Sequence, residues 1–418
     1  MSVWIVRGRQ VLCGSVKVQG SKNAVLPIMA ASILTGGETV LDNCPELLDV
    51  EASIHILRHL GCSVLREGDR IIINSSGMNK SHIPHELMLK MRSSVMYMGA
   101  ILARTGEARL STPGGCELGS RPIDLHIRAL RQLGAEVSEE GGEVYCRADN
   151  MRGTHINLDF PSVGATENAM IAACAAHGET VITNAAREPE IVDLQNFLRA
   201  AGAEINGAGT SVITISSFDR KPFTHYTVMS DRIAASTFLC GAAATGGEVE
   251  LLGINPEHIS TVIDSLREMG CGVLSSRNSV KLRAPEHLRA CRPIITKPYP
   301  GFPTDAQALM MAASLKADGT TVFVENIFEN RYRHTDELKR LGADIRTEGR
   351  VAMVTGVPKL KSALVTATDL RGGAALIIAA LSADGETRIF DSGHVERGYD
   401  RIENVLCSLG ADIIKETN

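Results

Sequence analysis

Aromatic side chains are scarce in this chain. They make up 4% of 418 residues, and Trp4 is the single tryptophan. A core with so few rings must be filled by close packing of small and branched residues. No apolar run is long enough to span a membrane, and the N-terminus MSVWIVRGRQ lacks the apolar stretch of a signal peptide. There is no excess of positive charge either. A net charge of -5 argues against a general nucleic-acid binder, while leaving room for a local basic site that takes a small anion. None of the ten cysteines forms a C-x-x-C pair, and neither a Cys/His cluster nor a G-x-x-x-x-G-K-[ST] loop occurs. No metal and no cofactor are therefore expected, and the compartment is expected to be a reducing cytoplasm. Nearly all the cysteines read as small buried hydrophobes.

What is present is a globular composition, 44% hydrophobic and 22% charged, in a chain long enough for two or more domains. One short pattern recurs six times: an amphipathic helix, a Gly, then the start of a strand. The copies are RHLGCSVL, RQLGAEVS, RAAGAEIN, REMGCGVL, KRLGADIR and CSLGADII. Their glycines, Gly61, Gly134, Gly202, Gly270, Gly342 and Gly410, are spaced by 73, 68, 68, 72 and 68 residues. Glycine suits the left-handed position that follows a helix. Upstream of each Gly lies an Ala-rich, nearly apolar helix followed by a strand, as in NAMIAACAAHGETVI and LMMAASLKADGTTVFV. Each unit is thus about seventy residues of mixed α/β. Its apolar helix should be buried all round, and its amphipathic helix should cover a sheet. Six units are read as two three-unit domains, residues 21–229 and residues 1–20 plus 230–418, with the N-terminal strand joining the C-terminal half.

The starts of the apolar helices are the polar places in the chain: GSKNAVLP, KMRSSVMY, PSVGATENAM, MSDRIAAS, FPTDAQAL and ATDLRGGAA. Ser162, Asp231 and Thr304 fit ordinary N-capping. Capping does not account for Lys22, Arg92, Arg232 and Arg371, because a cation at a helix N-terminus opposes the macrodipole unless an anion is near. The expectation is a cleft for a strongly anionic small molecule, with its walls divided between the two domains and closing on the ligand. A second cluster is the loop STPGGCELGSRPIDLHIRAL. Three glycines surround Cys116 there, and Arg121 would favour its thiolate. Further polar clusters are Arg187, Glu188 and Glu190 in NAAREPEIVD, Asp305 in FPTDAQ with no cation adjacent in sequence, Arg331, Arg333 and His334 in ENIFENRYRH, and Arg397 and Arg401 in GHVERGYDRIENVL. Arg397 occupies the strand-to-helix position that Cys116 holds in its own unit.

With these pieces assembled, the chain resembles the enolpyruvyl transferase family, and within it the branch whose acceptor is UDP-N-acetylglucosamine. The resemblance rests on GSKNAVLP, MRSSVMYMG, PGGCELGSRPIDLH, PSVGATEN, NAAREPEIVD, FPTDAQ, ENIFENRYRH, ATDLRGGAA and ERGYDRIE, which run in order from residue 20 to residue 403. It implies a pair of inside-out α/β domains, each of three βαβαββ units. It also implies phosphoenolpyruvate and UDP-N-acetylglucosamine as substrates, no nucleic-acid or membrane partner, and addition–elimination chemistry in peptidoglycan synthesis. Oligomeric state stays open. Lys22, Arg121 and Arg397 are implied to contact phosphoenolpyruvate, and Cys116 to act on its C3 and to be the target of the epoxide fosfomycin. Asp305 is implied to face the sugar 3-hydroxyl as a general base. Asn23, Arg92, Arg121, Pro122, Asp124, Leu125, Ser162, Val163, Gly164, Ile327 and Arg331 are placed with the substrates, and Asp369, Leu370 and Arg371 at the closing face. The nearest rival is the shikimate-pathway enolpyruvyl transferase, which the GGCELGSRP loop and AREPEIVD argue against. A rival of another class is a catalytically silent UDP-sugar sensor, which the retained Lys22, Cys116, Asp305 and Arg397 argue against.

Overall fold

In a computed structural model, residues 2–111 and 123–417 are described, except for the side chain of Arg92. The chain divides into two compact units. One comprises Met1–Gln19 with Ser230–Asn418; the other comprises the described residues between Gly20 and Met229.

Six four-stranded sheets carry the repeat, three in each unit, and all six share one topology. An edge strand runs parallel to the next, and two further strands follow antiparallel. In the sheet of His82–Ile83, Glu107–Ser111, Glu143–Arg147 and Glu136–Glu140, the first pair is parallel and the crossover between them contains the helix Tyr97–Thr105. A parallel pair requires such a crossover, whereas the antiparallel pair Glu136–Glu140 and Glu143–Arg147 needs only a tight turn. Each copy is therefore a βαβαββ unit, although three strands come from distant sequence. Phe223–Thr227 supplies the parallel edge beside Glu38–Asp42. Cys13–Lys17 does the same beside Glu248–Leu252. Ser2–Arg7 lies between Glu386–Asp391 and Asp412–Thr417, antiparallel to both.

The six apolar helices are Lys22–Ala31, Tyr97–Thr105, Val163–Ala173, Arg232–Thr245, Thr304–Ser314 and Leu370–Leu381. They are buried nearly all round: every residue from Arg371 to Leu381 is buried, as is every residue from Ala306 to Ser314. Within each unit the three buried helices pack on one another, and the sheets lie outside them. This is the reverse of a sheet-centred α/β fold, and alanine makes it possible. It combines the best helix propensity with a side chain small enough for close axial approach. The strands alternate buried and exposed residues, as in Glu38–Asp42, so one face of each sheet covers the helices and the other meets solvent. The amphipathic helices, such as Asp124–Gln132 and Pro189–Ala200, cover both a sheet and a buried helix. No helix among the described residues is long and apolar enough to cross a membrane.

The nine described cysteines are all free. Cys44, Cys62, Cys146, Cys174, Cys240 and Cys271 are buried as expected, but Cys13 and Cys407 are exposed. The strand Cys13–Lys17 has no buried residue, and Cys407 lies on the exposed side of the helix Ile402–Ser408. Burial pushes the Cys62 thiol up to about 11 and the Cys174 thiol up to about 12, so both stay protonated and unreactive at neutral pH.

All six repeat glycines have positive φ, from 90° at Gly342 to 111° at Gly202. A Cβ at Gly134 would meet only the Asn150 carbonyl oxygen, at 3.6 Å, whereas one at Gly202 would overlap the Asp219 carbonyl. Gly134→Ala should therefore lose about 1 kcal/mol of stability from backbone strain alone. Gly202→Ala, in the same unit, should lose clearly more. Calorimetric melting of both variants checks this, and equal losses would contradict it.

Candidate functional site

The unit containing residues 230–418 carries a densely connected polar cluster. Asp305 is the second residue of the helix Thr304–Ser314, which begins without a side-chain cap. Its carboxylate is paired twice: Oδ1 lies 3.1 Å from Nη2 of Arg331, and Oδ2 lies 3.5 Å from Nη2 of Arg371. Arg331 also donates to the Thr304 carbonyl at 3.1 Å. No cation lies near Asp305 in sequence, yet two reach it in space. Both partners are remote in sequence, and the fold brings them to the helix start. Arg331 and Arg371 are themselves buried, and charged groups in such places need partners. Arg371 lies over the Tyr399 ring at 5.4 Å, and Arg331 over the Phe328 ring at 5.7 Å. Burial works against the Arg371 charge, but Tyr399, Asp305 and Asp231 more than offset it and hold the guanidinium ionised.

Asp369 caps the helix Leu370–Leu381, accepting the N–H groups of Arg371 and Gly372 at 3.0 Å each. Burial would raise its carboxyl, yet Arg331, His334 and those two amides together hold it below the usual range. His334 is fully buried and its pKa is pushed down to about 4, mainly by burial, so it is neutral at pH 7. Its Nδ1 lies 3.1 Å from the Arg331 carbonyl.

Arg397 ends a short 3₁₀ turn, Val395–Arg397, and is half-buried. Two buttresses shape this loop. Asp391 accepts the N–H groups of Gly393, His394 and Val395 at 3.1, 2.7 and 3.1 Å. Gln19 donates to the Gly398 carbonyl at 3.2 Å and accepts the Asp400 N–H at 2.9 Å. Ile327 lies half-buried in the loop after the strand Thr320–Val324.

In the unit of residues 20–229, Lys22 opens the helix Lys22–Ala31 and its Nζ sits 2.7 Å from Oδ2 of the buried Asp49. Asn23 follows it, half-buried. Two of the helix-start cations, Lys22 and Arg371, therefore have carboxylate partners within their own units, Asp49 and Asp305. The helix dipole does not by itself demand an external anion at either position. Ser162 caps the helix Val163–Ala173 through its Oγ, which accepts the Ala165 N–H at 3.4 Å. Val163 and Gly164 form the first turn of that helix, and a Cβ on Gly164 would come within 3.2 Å of the His126 ring. His126 is tied to Asn168, whose Nδ2 donates to its Nδ1 at 3.0 Å. Asp124 begins the helix Asp124–Gln132 and is exposed, and Leu125 is half-buried beside it. Glu188 and Glu190 are buried at the start of the helix Pro189–Ala200. Glu167 is fully buried, and that burial, with Glu190 and Glu188 adding to it, raises its carboxyl well above the ordinary range. Cys116, Arg121, Pro122 and the side chain of Arg92 lie outside the described residues.

The structure thus brings Asp305, Arg331, Asp369, Leu370 and Arg371 together in one unit. Lys22 and Asn23 stand at one helix start of the other unit, and Ser162, Val163 and Gly164 at another. Sequence reasoning missed Asp49, Gln19 and Glu325, each of which bonds a residue remote along the chain. It also missed Asp391, whose bonds to the nearby Gly393, His394 and Val395 N–H groups depend on a turn that the sequence pattern did not show.

Comparison with known proteins places this geometry. Residues 6–406 match the family model described as EPSP synthase (3-phosphoshikimate 1-carboxyvinyltransferase). A UDP-N-acetylglucosamine 1-carboxyvinyltransferase 2 from Caldanaerobacter subterraneus is 47% identical over 99% of this chain and 100% of its own length. A UDP-N-acetylglucosamine 1-carboxyvinyltransferase 1 from Symbiobacterium thermophilum is 49% identical over 98% of this chain and 94% of its own. Among solved structures, the enolpyruvyl transferase NikO from Streptomyces tendae superposes with a TM-score of 0.88 at 24% identity, covering 100% of this chain and 99% of its own. EPSP synthase from Acinetobacter baumannii superposes with a TM-score of 0.73 at 21% identity, covering all of both chains. At those identities the two structures speak for the fold alone, whereas the two sequence relatives speak for the branch. The chain belongs to the enolpyruvyl transferase family, among the UDP-N-acetylglucosamine 1-carboxyvinyltransferases.

Proposed function

We propose that the chain transfers the enolpyruvyl group of phosphoenolpyruvate to the 3-hydroxyl of UDP-N-acetylglucosamine and releases phosphate, the step that commits the nucleotide sugar to peptidoglycan. The observation that carries this reading is the 46–49% identity, over nearly the whole chain, to relatives bearing that activity in their names. The family model is named for the shikimate-pathway enzyme, so that acceptor is the rival to exclude. Phosphate release from phosphoenolpyruvate should depend on UDP-N-acetylglucosamine. Release with shikimate 3-phosphate instead would overturn the reading. Nine cysteines, all free among the described residues, fit a cytoplasmic enzyme.

The chemistry sets the demands on the site. C3 of phosphoenolpyruvate accepts a proton, leaving positive charge at C2. The sugar hydroxyl oxygen bonds to C2 as its own proton leaves, giving a tetrahedral intermediate that still carries the phosphate. C3 then loses a proton, the C2–O bond to phosphate breaks, and the double bond returns. We assign the clamp on phosphate and carboxylate to Lys22, Arg121 and Arg397, since planar and point cations together match a dianion beside a carboxylate. Cys116 is the candidate acid toward C3 and Asp305 the candidate base for the hydroxyl. The paired guanidiniums of Arg331 and Arg371 support Asp305 in that role by fixing where its carboxylate points. The nucleotide sugar is assigned to Asn23, Arg92, Pro122, Asp124, Leu125, Ile327 and the helix start at Ser162, Val163 and Gly164. The N–H groups of Val163 and Gly164, which find no acceptor among the described residues, suit a diphosphate. Asp369 and Leu370 are assigned to shaping the same wall as Arg371.

Two outcomes test the assigned roles. Fosfomycin should add its mass at Cys116 alone, sparing the exposed Cys13 and Cys407, and Cys116→Asp should resist it while remaining active. Labelling elsewhere with loss of activity would remove Cys116 from the chemistry. Asp305→Asn keeps an acceptor for Arg331, and so withdraws one of the two guanidinium contacts where alanine would withdraw both. It should lower kcat by roughly a hundred- to ten-thousand-fold, with much less effect on binding of UDP-N-acetylglucosamine. Turnover near that of the parent enzyme would exclude Asp305 as the base.

A further inference from the structure

Glu325 is 1% exposed, and among the described residues no basic side chain pairs with it. A carboxylate in that position is expensive unless donors surround it. Four do. Oε1 accepts the Thr296 hydroxyl at 2.9 Å, the Ile327 N–H at 2.8 Å and the Phe328 N–H at 3.1 Å. Oε2 accepts the Thr304 hydroxyl at 3.0 Å. Thr296 in turn accepts the Asn326 N–H at 2.9 Å, so both sides of the turn are fastened.

These bonds join three separate pieces of chain. Oε1 shapes the turn that carries Ile327 and Phe328. Oε2 fastens the first residue of the helix whose second residue is Asp305. The far end of the same loop returns to that helix, because Arg331 donates to the Thr304 carbonyl and the Asp305 carboxylate, each at 3.1 Å. The result is a closed ring through Glu325, Thr304, Asp305, Arg331 and residues 326–330. The ring holds the Asp305 carboxylate against Arg331 and its helix start against Glu325, and so ties its position to that of Ile327.

We infer that Glu325 is a positioning residue, holding the candidate base Asp305 and the nucleotide-sugar loop at Ile327 in one fixed relation. It touches neither substrate, and it acts as a hydrogen-bond acceptor instead of as an acid or base. This rests on the roles proposed above for Asp305 and Ile327.

The two arms can be cut separately. Thr304→Val removes only the helix arm. It should lower kcat roughly tenfold to a hundredfold, the scale of a small misplacement of a reacting group, with KM for UDP-N-acetylglucosamine within about twofold of the parent value. Glu325→Ala cuts both arms and should lower kcat and raise that KM together. Glu325→Gln keeps the acceptor that holds the loop, and the Thr304 hydroxyl can turn to accept from the new amide. It should therefore recover most of the activity lost in Glu325→Ala. Steady-state phosphate release on each variant, with circular dichroism to confirm folding, reads all three. If Glu325→Ala fails to fold, Thr304→Val decides. Parent-like kcat in Thr304→Val, or a Glu325→Gln as impaired as the alanine variant, overturns the inference while the parent enzyme still turns over. A parent enzyme that releases no phosphate with UDP-N-acetylglucosamine overturns the underlying reading, and the inference with it.

Discussion

The start of each apolar helix is where the physical constraint on this fold is tightest. A helix buried on all sides cannot leave its first N–H groups to bulk water, and it cannot hold a charged side chain there without a counter-charge. The chain meets both requirements locally. Ser162, Asp231 and Asp369 cap three of the helices with their side-chain oxygens. Asp49 answers Lys22, and Asp305 answers both Arg331 and Arg371. The fold thus concentrates fixed charge and polar hydrogen bonds at its helix starts, while the rest of each helix is mostly apolar, with a few buried polar exceptions such as Glu167, Asn168 and Gln307.

That concentration makes the helix starts suitable for chemistry on a small polyanion. A guanidinium already buried and already paired has given up its hydration when the fold forms, so less reorganisation remains when substrate arrives. Asp305 shows the consequence most clearly. Its carboxylate is oriented by two arginines from distant segments, and the helix bearing it is held in turn through Thr304 and Glu325. The placement of Asp305 is a property of a ring of contacts, and no single residue holds it alone.

The sequence made the repeat legible because repetition depends on local physics. Glycine at the left-handed end of an amphipathic helix, and an Ala-rich helix before a strand, are signals that need no knowledge of the partner. The six glycines and six buried helices are visible for that reason. So are the polar helix starts, where Lys22, Ser162, Asp305 and Arg371 stand out against apolar surroundings. The partners were not legible. Asp49 lies in an ordinary amphipathic first turn, Glu325 at an ordinary strand end, and Gln19 in a short linker; each gains its meaning only from a residue far along the chain. The partners of Asp305 were hidden for the same reason: adjacency in sequence says nothing about Arg331 and Arg371. The two exposed cysteines, Cys13 and Cys407, likewise depend on which face of an element meets solvent.

Turnover in heavy water tests the central claim most directly. If C3 of phosphoenolpyruvate becomes a methyl group in the intermediate and then loses one of its three hydrogens, solvent deuterium must appear in the vinyl CH₂ of the enolpyruvyl sugar nucleotide. Mass spectrometry of the product formed from unlabelled phosphoenolpyruvate and UDP-N-acetylglucosamine should show that label. Full turnover to the same product with no deuterium at C3 would contradict addition–elimination, and with it the roles given to Cys116 and Asp305.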